Sequence, residues 1–315
     1  MEVLLSSKYG KQIGVLNETI WENRALGPKV IDWLGNFDND EEREYALYLL
    51  SRVMYFSSSC IRNLLKTLYR DLYRYPIIEK IRKENGDTLD SSFIEKEFNK
   101  VLQSTRFLGV GNPSESGVHL LYYFRQENNI TKDLFVNTDD IIEYDEIEGV
   151  RLRDNFKHVK HFVFIDDLCG SGQQATSNDS NVKRCVQHLH NVINDADISY
   201  LMIFGMSAGI RVIRESQLYD HVNAVVELDD SYRCFSKQSR FFDDEKYLCS
   251  FARDMAFKHG CKLVSQPHAL GYSDCQLLLS LHHNTPDNTL PIIWFDEDNT
   301  KWKPIFKRYN KKYSF

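Results

Sequence analysis

The stretch of the sequence best suited to chemistry is His161–Gln174, which reads HFVFIDDLCGSGQQ. A hydrophobic run ends there in two adjacent acids, Asp166 and Asp167, and a loop with glycines at positions 170 and 172 follows. Carboxylates at the end of a strand can bind a cation or accept hydrogen bonds from ribose hydroxyls, and glycine lets backbone amides come close to an anion. A helix that begins near Gln173 would add a favourable field of about 1 kcal/mol for a phosphate. The pattern predicts a ligand site, with a strand exit followed by a helix cap as the structural alternative.

Three familiar nucleotide-binding motifs fit this loop less well. A Walker A loop requires GxxxxGK[ST], and the segment has no lysine. A Rossmann loop requires GxGxxG, of which only GxG is present. The letters DLCGSG resemble the first motif of S-adenosylmethionine-dependent methyltransferases, but the next predicted strand, ISYLMIFGM, does not end in the acid that holds the ribose in those enzymes. A methyltransferase is therefore the third-ranked interpretation.

The elements around this segment predict an α/β fold. Strands are predicted in RFLGVG, VKHFVFI, ISYLMIFGM and NAVVEL, and helices in VHLLYYFRQEN and around residues 182–192. A weaker strand and helix are predicted in LFV and TDDIIEYDEI, and two more strands in LLLSLHH and LPIIWF. Strands that alternate with helices are typical of a mostly parallel sheet with helices on both faces. The loop after a strand of such a sheet is where ligands bind.

The first hundred residues predict a layer of helices. One is predicted in EEREYALYLLSRVMYF after capping residues at 38–40, and a second has an apolar face from Ile61 to Leu72 and ends at Pro76. A third begins at a capping box, Ser92 to Glu95. The expected organisation is a helical layer over residues 1–103, an α/β core over 104–300 and a basic, aromatic tail over 301–315.

Composition and charge exclude several classes of protein. The net charge of −6 argues against a nucleic-acid coat protein. The seven cysteines form no CxxC pair, which argues against a zinc site or a disulfide framework and for a reducing cytoplasm. We expect no membrane contact, because no apolar run approaches the roughly 18 residues of a membrane span. The tail KWKPIFKRYNKKYSF interleaves basic and aromatic residues, so it is a candidate for single-stranded nucleic-acid contact or for docking a partner.

The acidic loop resembles the signature of phosphoribosyltransferases, in which a hydrophobic strand leads into two acids and a loop of small residues. In that family the acids contact the ribose hydroxyls of phosphoribosyl pyrophosphate (PRPP), and the loop amides hold its 5-phosphate. The sequence departs from the family pattern in the loop. Gly170 and Ser171 stand where two threonines are usual, and Gln174 stands where the loop usually closes on threonine.

Longer segments resemble one phosphoribosyltransferase-like family, called PRTase-CE, of prokaryotic conflict and antiphage systems that include retrons. The segments that carry the resemblance occur in the order WLGNFDNDEEREYALYLLSRVMYFS, GNPSESG, DDLCGSG and LGYSDCQLLLSLHHNTPDNTLPIIW. It extends from about Ile31 to Phe306. The resemblance implies a toxic effector that acts together with a reverse transcriptase and its DNA–RNA product, and in some systems with a helix-turn-helix protein.

The resemblance also implies roles for individual residues. The catalytic ribose contacts and Mg²⁺ ligands would be Asp166 and Asp167. The 5-phosphate would be held by Gly170, Ser171, Gly172, Gln173 and Gln174, and pyrophosphate by Gly111, Asn112, Ser116 and Gly117. Candidate lining residues of the site are Arg125, Asn284, Thr285 and Asn288. His282 and His283 fall in a predicted strand, so we expect them to face opposite sides of it.

The functional expectation is thus an effector that binds PRPP or a related ribose phosphate with Mg²⁺. It would transfer or cleave a ribosyl group on a nucleotide-type substrate. The alternative is a catalytically degenerate module that senses a nucleotide or serves as a scaffold in a ribonucleoprotein complex.

Overall fold

The computed structural model describes residues 5–111, 116–145, 149–244, 246–296 and 301–308. The chain divides into two compact units, the sheet unit (Arg62–Leu228) and the terminal unit (Met1–Ile61 with Asp229–Phe315). These boundaries differ from the predicted division at residues 103 and 300. The difference arises because the first helices share a hydrophobic core with residues 234–306. Packing between segments so distant in sequence leaves no local signal.

Helices and strands alternate along most of the chain. In order they are α1 (Lys8–Thr19), α2 (Gly27–Leu34), α3 (Asp40–Leu50), β1 (Met54–Phe56), α4 (Ser58–Thr67), α5 (Tyr75–Glu84), α6 (Ser91–Gln103), β2 (Thr105–Gly109), α7 (Ser116–Glu127), α8 (Thr138–Ile141), β3 (Ile142–Asp145), β4 (Gly149–Leu152), β5 (His161–Cys169), α9 (Gln173–Thr176), α10 (Asn181–Val192), β6 (Asp197–Met206), α11 (Ser207–Glu215), β7 (His221–Leu228), α12 (Cys249–Leu263), β8 (Leu279–Leu281) and α13 (Pro291–Trp294). Over the described ranges, none of these helices has the length and apolar character required to cross a bilayer.

The sheet unit is built on four parallel strands in the order β2-β5-β6-β7. β5 and β6 are almost continuously buried, as is typical of strands that are covered on both faces. The unit also contains a short antiparallel hairpin of β3 and β4. The predicted α/β class, with a parallel sheet flanked by helices, is confirmed.

Helices cover both faces of this sheet. On one face the ring of Phe107 in β2 lies 5.1 Å from the ring of Tyr73 and 5.3 Å from that of Phe124 in α7. On the other face Leu108 belongs to a buried cluster that includes residues of α10 and α11. The two faces alternate along β2 because successive side chains of a strand point to opposite sides.

The terminal unit has its own aromatic-rich core. The Trp33 indole N–H donates a 2.7 Å hydrogen bond to the carbonyl of Ile292, which ties α2 to α13. The ring of Tyr48 in α3 stacks on Tyr247 at 4.2 Å. β1 and β8 form a two-stranded parallel sheet in this unit. Segments from the two ends of the chain therefore depend on each other for burial.

Two of the predicted helices end differently in the structure. The first stops at Leu50, and Met54–Phe56 forms β1 instead, since these residues pair with β8. The second does not close at Pro76 but passes through a π-helical segment, Leu68–Arg74, into α5. Pro76 lies at the second position of α5, directly after the π-helical segment.

Three other elements differ from their sequence pattern. The N-cap of α6 is Asp90, which accepts 3.0 Å bonds from the N–H groups of Ser92 and Phe93, so the predicted capping box lies two residues too late. The segment TDDIIEYDEI is a helix only over Thr138–Ile141 and then enters the β3–β4 hairpin. LPIIWF forms the one-turn helix α13 instead of a strand. These are short runs in which helix and strand patterns are hard to separate.

Candidate functional site

Asp166 and Asp167 lie near the carboxyl end of β5, where the strand turns their side chains to opposite faces. Asp166 is on the face that buries Phe162 and Phe164, and only 3 % of its surface is exposed. Its Oδ2 accepts a 2.6 Å hydrogen bond from the hydroxyl of Tyr200, and its Oδ1 accepts a 2.9 Å bond from the backbone N–H of Asp167. Burial, with a smaller effect from the charge of Asp167, raises the pKa of Asp166 well above the usual range of aspartate.

Asp167 is the more accessible acid of the pair. Its side chain is half-buried, and its Oδ1 accepts a 2.8 Å hydrogen bond from the backbone N–H of Leu168. This bond restrains the orientation of the carboxylate. Of the two predicted acids, Asp167 is thus the one with the more exposed side chain.

The glycines of the loop after β5 pack against the start of α11. Gly172 has a φ of +80°, which favours glycine, and a Cβ atom there would lie 2.9 Å from the carbonyl oxygen of Gly209. A Cβ atom on Gly209 would lie 2.2 Å from the carbonyl oxygen of Gly170. Glycine at these positions is therefore required by backbone packing within the protein, in addition to any ligand.

The helix predicted near Gln173 is present but short. α9 is a single turn, Gln173–Thr176, so its peptide dipoles provide much less field than a full helix. The side chains of Gln173 and Gln174 are exposed, and the hydroxyl of Thr176 donates a 2.9 Å bond to the carbonyl of Gly172. Any anion at this loop would be held mainly by local amides.

The predicted pyrophosphate loop begins beside the acidic loop. β2 and β5 pair in parallel up to Gly109 and Ile165, and the N–H of Val110 donates a 3.0 Å bond to the carbonyl of Ile165. Gly111 follows with a φ of +100°, which favours glycine. Asn112 lies outside the described residues. Ser116 and Gly117 form the first turn of α7, for which the structure describes the backbone only.

The order in which the chain visits the strands indicates a crevice between the carboxyl ends of β2 and β5. After β2 the chain runs outward to Phe135, which forms a single parallel bridge with Phe107 in place of the predicted LFV strand. After that it returns to β5 on the opposite side of β2. Loops that leave two neighbouring strands in opposite directions open a crevice between the strand ends, and ligands of α/β proteins bind there. The structure therefore places the loops after β2 and β5 side by side at such a point.

A comparison with protein families agrees with this geometry and matches residues 30–308 to PRTase-CE. The chain belongs to the PRTase-CE family. The match covers almost the same range as the resemblance predicted from the sequence, which is confirmed, and it supports a phosphoribosyltransferase-like protein. Neither the curated proteins nor the solved structures give a significant match to the chain.

Four other residues predicted for the site of this PRTase-CE chain have different surroundings. Arg125 lies nine residues after Ser116 on α7, about 13 Å along the helix axis, with its guanidinium 5.8 Å from the ring of Tyr122. The other three belong to the terminal unit. The Thr285 hydroxyl is buried within 2.8 Å of the Ser280 hydroxyl, the Asn288 amide donates to the sulfur of Cys275, and Asn284 closes a tight turn with Leu281.

Two residues of the site were missed by the sequence reasoning. Tyr200 holds Asp166, and the only signal for it was a polar ring within an otherwise apolar buried strand, where a hydroxyl must find a partner. Gly209 packs against the backbone of Gly170 in the glycine loop. Nothing in its segment, GMSAG, indicated this contact. As predicted, β6 ends at Met206 without an acid, which speaks against the methyltransferase interpretation.

A magnesium ion would fit Asp167 better than Asp166. Both oxygens of Asp166 already accept hydrogen bonds, and its burial favours the neutral carboxyl, whereas Asp167 presents a half-buried carboxylate. Mg²⁺ commonly takes one or two carboxylates and completes its shell with substrate phosphates and water. One carboxylate at this crevice is therefore compatible with a magnesium–phosphate ligand.

Elsewhere in the described part of the chain, one trio of potential metal ligands comes together, formed by Asp38, Glu42 and His259 of the terminal unit. The ammonium of Lys258 lies 2.6 Å from Asp38 Oδ2 and 2.5 Å from Glu42 Oε1. His259 Nε2 lies 2.8 Å from the other oxygen of Glu42. A lysine thus already neutralises these carboxylates, and we interpret the group as a structural ion-pair network.

The first half of the predicted tail packs on the terminal unit. Phe306 is buried, and the described cations from residue 303 onward pair with acids. The pairs are Lys303 with Asp32, Lys307 with Asp296, and Arg308 with Asp287. Residues 309–315 lie outside the described residues. Nucleic-acid contact or partner docking through this segment remains a prediction, and the described cations at 303, 307 and 308 are engaged within the terminal unit.

Proposed function

We propose that this chain binds PRPP or a related ribose phosphate at the crevice between β2 and β5. We further propose that it transfers or cleaves the ribosyl group on a nucleotide-type substrate. The observation that carries the proposal is the meeting, at a topological switch point, of the glycine loop, the half-buried carboxylate of Asp167 and the Gly111 turn. Membership in a phosphoribosyltransferase-like family supports it.

In this proposal the two acids have different tasks. Asp167 accepts hydrogen bonds from the ribose hydroxyls and so orients the sugar. Asp166 acts as a positioning residue, because it accepts the Asp167 N–H and is itself held by the hydroxyl of Tyr200. Such support from within a packed core is what fixes the geometry of a binding carboxylate.

The loops would hold the two ends of the ligand. Backbone amides of Gly170–Gln174 would face the 5-phosphate, and the turn at Gly111 with the start of α7 would receive pyrophosphate. Departure of pyrophosphate leaves positive charge on the ribose, so the reaction depends on fixed donors and on orientation of the sugar. Mg²⁺, when bound through Asp167 and the phosphates, would supply charge neutralisation for the leaving group.

The wider role that we propose is an effector of an antiphage system. The family resemblance suggests a reverse transcriptase with its DNA–RNA product, and a helix-turn-helix protein, as partners that restrain or release the activity. The segment of residues 301–315 is a candidate docking or nucleic-acid contact.

The second candidate is a sensor or scaffold without turnover. It is favoured by the burial of Asp166, which leaves one partly exposed acid where the family signature has two, and by Gln174 at the end of the loop. Such a module would bind a nucleotide or sugar phosphate at the same crevice and leave it intact.

Calorimetric titration with PRPP and Mg²⁺ tests the proposal. The wild type is compared with Asp167→Asn and with Asp154→Asn, a control that removes an exposed acid of the sheet unit paired with Lys157. We expect the affinity to fall at least about tenfold in Asp167→Asn, as for loss of a charged hydrogen-bond acceptor, and to stay unchanged in the control. Equal affinity in all three forms, or no binding by any of them, contradicts the site.

Pyrophosphate release then separates the two candidates. The purified protein is incubated with PRPP, Mg²⁺ and a mixture of nucleosides and bases, and the products are followed by mass spectrometry. Release that depends on Asp167 supports transfer or cleavage. Binding that depends on Asp167 without any release supports the sensor.

A further inference from the structure

The terminal unit contains a second site-like feature, a small half-open cleft with a volume of about 100 Å³. Its rim carries Arg24, Lys29 and Lys307 together with the imidazoles of His282 and His283. We call it the cationic cleft. Its floor is buried and partly aromatic, with the rings of Tyr55 and Phe306 at 5.5 Å from each other. No acid occurs among the described residues that line it.

The cationic cleft also has partners within the protein for its polar groups. Lys29 Nζ donates a 3.0 Å hydrogen bond to the carbonyl of Arg24, and the Tyr55 hydroxyl donates a 3.0 Å bond to the carboxylate of Glu22. Burial lowers the pKa of Lys29, and the charges of Lys307 and Arg24 lower it further, while the charge of Asp296 raises it. Asp296 pairs with Lys307 at 2.7 Å. A lysine whose charged form is disfavoured by its neighbours is stabilised when an anion enters.

The backbone holds Arg24 in place before any ligand arrives. The two residues before it, Glu22 and Asn23, both have left-handed φ values of +52° and +58°, a conformation that is uncommon outside glycine. Buried Asn17 fixes this turn, since its carbonyl accepts from the N–H of Asn23 at 3.0 Å and its side-chain oxygen accepts from the N–H of Ala25 at 2.8 Å. Strained turns of this kind cluster at functional sites.

The opposite wall is also fixed. The N–H of His282 donates a 2.9 Å bond to the carbonyl of Phe56, and Leu281 and Asn284 close a turn through two backbone bonds. β8 ends at Leu281, so the two histidines lie in this turn and both line the cleft, with their rings 4.8 Å apart. The expectation that they face opposite sides of a strand was therefore wrong.

We propose that the cationic cleft binds the phosphate group of a small phosphate monoester. The phosphate lies between Arg24 and Lys29, and the histidines provide further donors. A planar guanidinium next to an ammonium is a frequent arrangement for phosphate recognition. The remainder of the ligand packs toward the aromatic floor. This site lies wholly in the terminal unit and does not depend on the proposed activity of the β2–β5 crevice.

Calorimetric titration of the full chain with 5′-AMP, adenosine and inorganic pyrophosphate tests the proposal. The test variants are Arg24→Gln and Lys29→Gln. The control is Lys303→Gln, which removes an exposed cation of the same unit outside the cleft. We expect 5′-AMP to bind, adenosine not to bind, and each test variant to lose about tenfold in affinity while the control changes less than about twofold. Pyrophosphate binding that is weakened in both test variants and unchanged in the control also supports a phosphate site. It would show that the site accepts free phosphate anions as well as phosphate esters.

Three results would overturn the assignment. One is an affinity for 5′-AMP that is equal in wild type and both test variants, and another is no binding of any phosphate probe. The third is a single-stranded oligonucleotide that binds more tightly than 5′-AMP and is lost in the same variants, since this indicates a nucleic-acid surface. Asp167→Asn keeps the two proposals apart, because it should leave 5′-AMP binding at the cationic cleft unchanged even if it abolishes PRPP binding. Thermal melts of each variant confirm that folding is retained.

Discussion

Replacement of Tyr200 by phenylalanine tests whether the buried acid pair is organised as the structure indicates. The hydroxyl of Tyr200 donates to Asp166 Oδ2 at 2.6 Å inside the core, and Asp166 is too deeply buried for water to replace this bond readily. Removal of one partner of a buried bond leaves the other partner unsatisfied, at a cost of about 1–3 kcal/mol. The sheet unit should therefore lose about 1–3 kcal/mol of its free energy of unfolding, measured in urea.

The loss of unfolding free energy in Tyr200→Phe should increase with pH. The pKa of Asp166 is raised in the folded protein, so the folded state binds a proton more tightly than the unfolded state does. Its stabilising effect is complete below the ordinary aspartate pKa and is lost as pH rises through the raised value. The bond from Tyr200 lowers this pKa, because it favours the charged carboxylate, so its removal raises the pKa further. The variant should then be weakened more at pH 8 than at pH 5.

The matched control is Tyr219→Phe, which removes a buried hydroxyl bonded at 3.0 Å to the neutral carbonyl of Ala175. Its cost should be about 1 kcal/mol and nearly independent of pH in this range. The double variant with Asp166→Asn measures the coupling of the pair. If Tyr200→Phe costs no more than Tyr219→Phe, or if its effect is the same at both pH values, the assignment of a coupled buried carboxyl is wrong.

Two further substitutions probe the packing and the charges of the sheet unit. Gly209→Ala places a Cβ atom 2.2 Å from the carbonyl oxygen of Gly170, so we expect a loss of about 1–3 kcal/mol in thermal unfolding and weaker PRPP binding. The control Gly14→Ala, in α1 with no atom within 4 Å of the new Cβ, should be neutral or stabilising, and equal effects would contradict the close approach. Asp197→Asn should destabilise the protein more at pH 6 than at pH 8.5. The nearby carboxylate of Asp197, 3.8 Å from His221 Nε2, raises the pKa of His221, so its stabilising effect is present at low pH and is lost as pH rises through the folded pKa. Urea titrations at the two pH values check this, and a larger loss at pH 8.5 would contradict it.

The sequence was sufficient to predict the strands and loops that form the crevice. β2, β5, β6 and β7 are local hydrophobic runs, and Asp166 with Asp167 stands at the end of one of them. Period-two alternation also implies that the two acids face opposite sides. Which of them is buried depends on Tyr200, 34 residues away in the chain, and no local pattern carries that information.

Other features could not be predicted because their causes are long-range. Met54–Phe56 continues a helical pattern in the sequence and becomes a strand only through its pairing with β8. Pro76 predicts the end of a helix from the local pattern. In the structure the helix continues through a π-helical segment, and Pro76 lies near the start of α5. The cationic cleft is assembled from two turns and one buried floor that are separated by more than two hundred residues. No single segment of the sequence contains a cluster of charges that would predict this cleft.

In the sequence, the sheet unit lies between the two segments that form the terminal unit, and this determines which unit can fold first during synthesis. Residue 54 in β1 has to wait for residue 279 in β8, about 225 residues later, before the two strands can pair. At a translation rate of about 5–20 residues per second, this interval is on the order of 10–45 s. The sheet unit is continuous in the chain and can complete its fold within that time, whereas the apolar faces of α1, α2 and α3 cannot yet be buried by their late partners. The first helices to leave the ribosome are thus among the last to reach their native packing, and they are the segments for which a chaperone would be needed most.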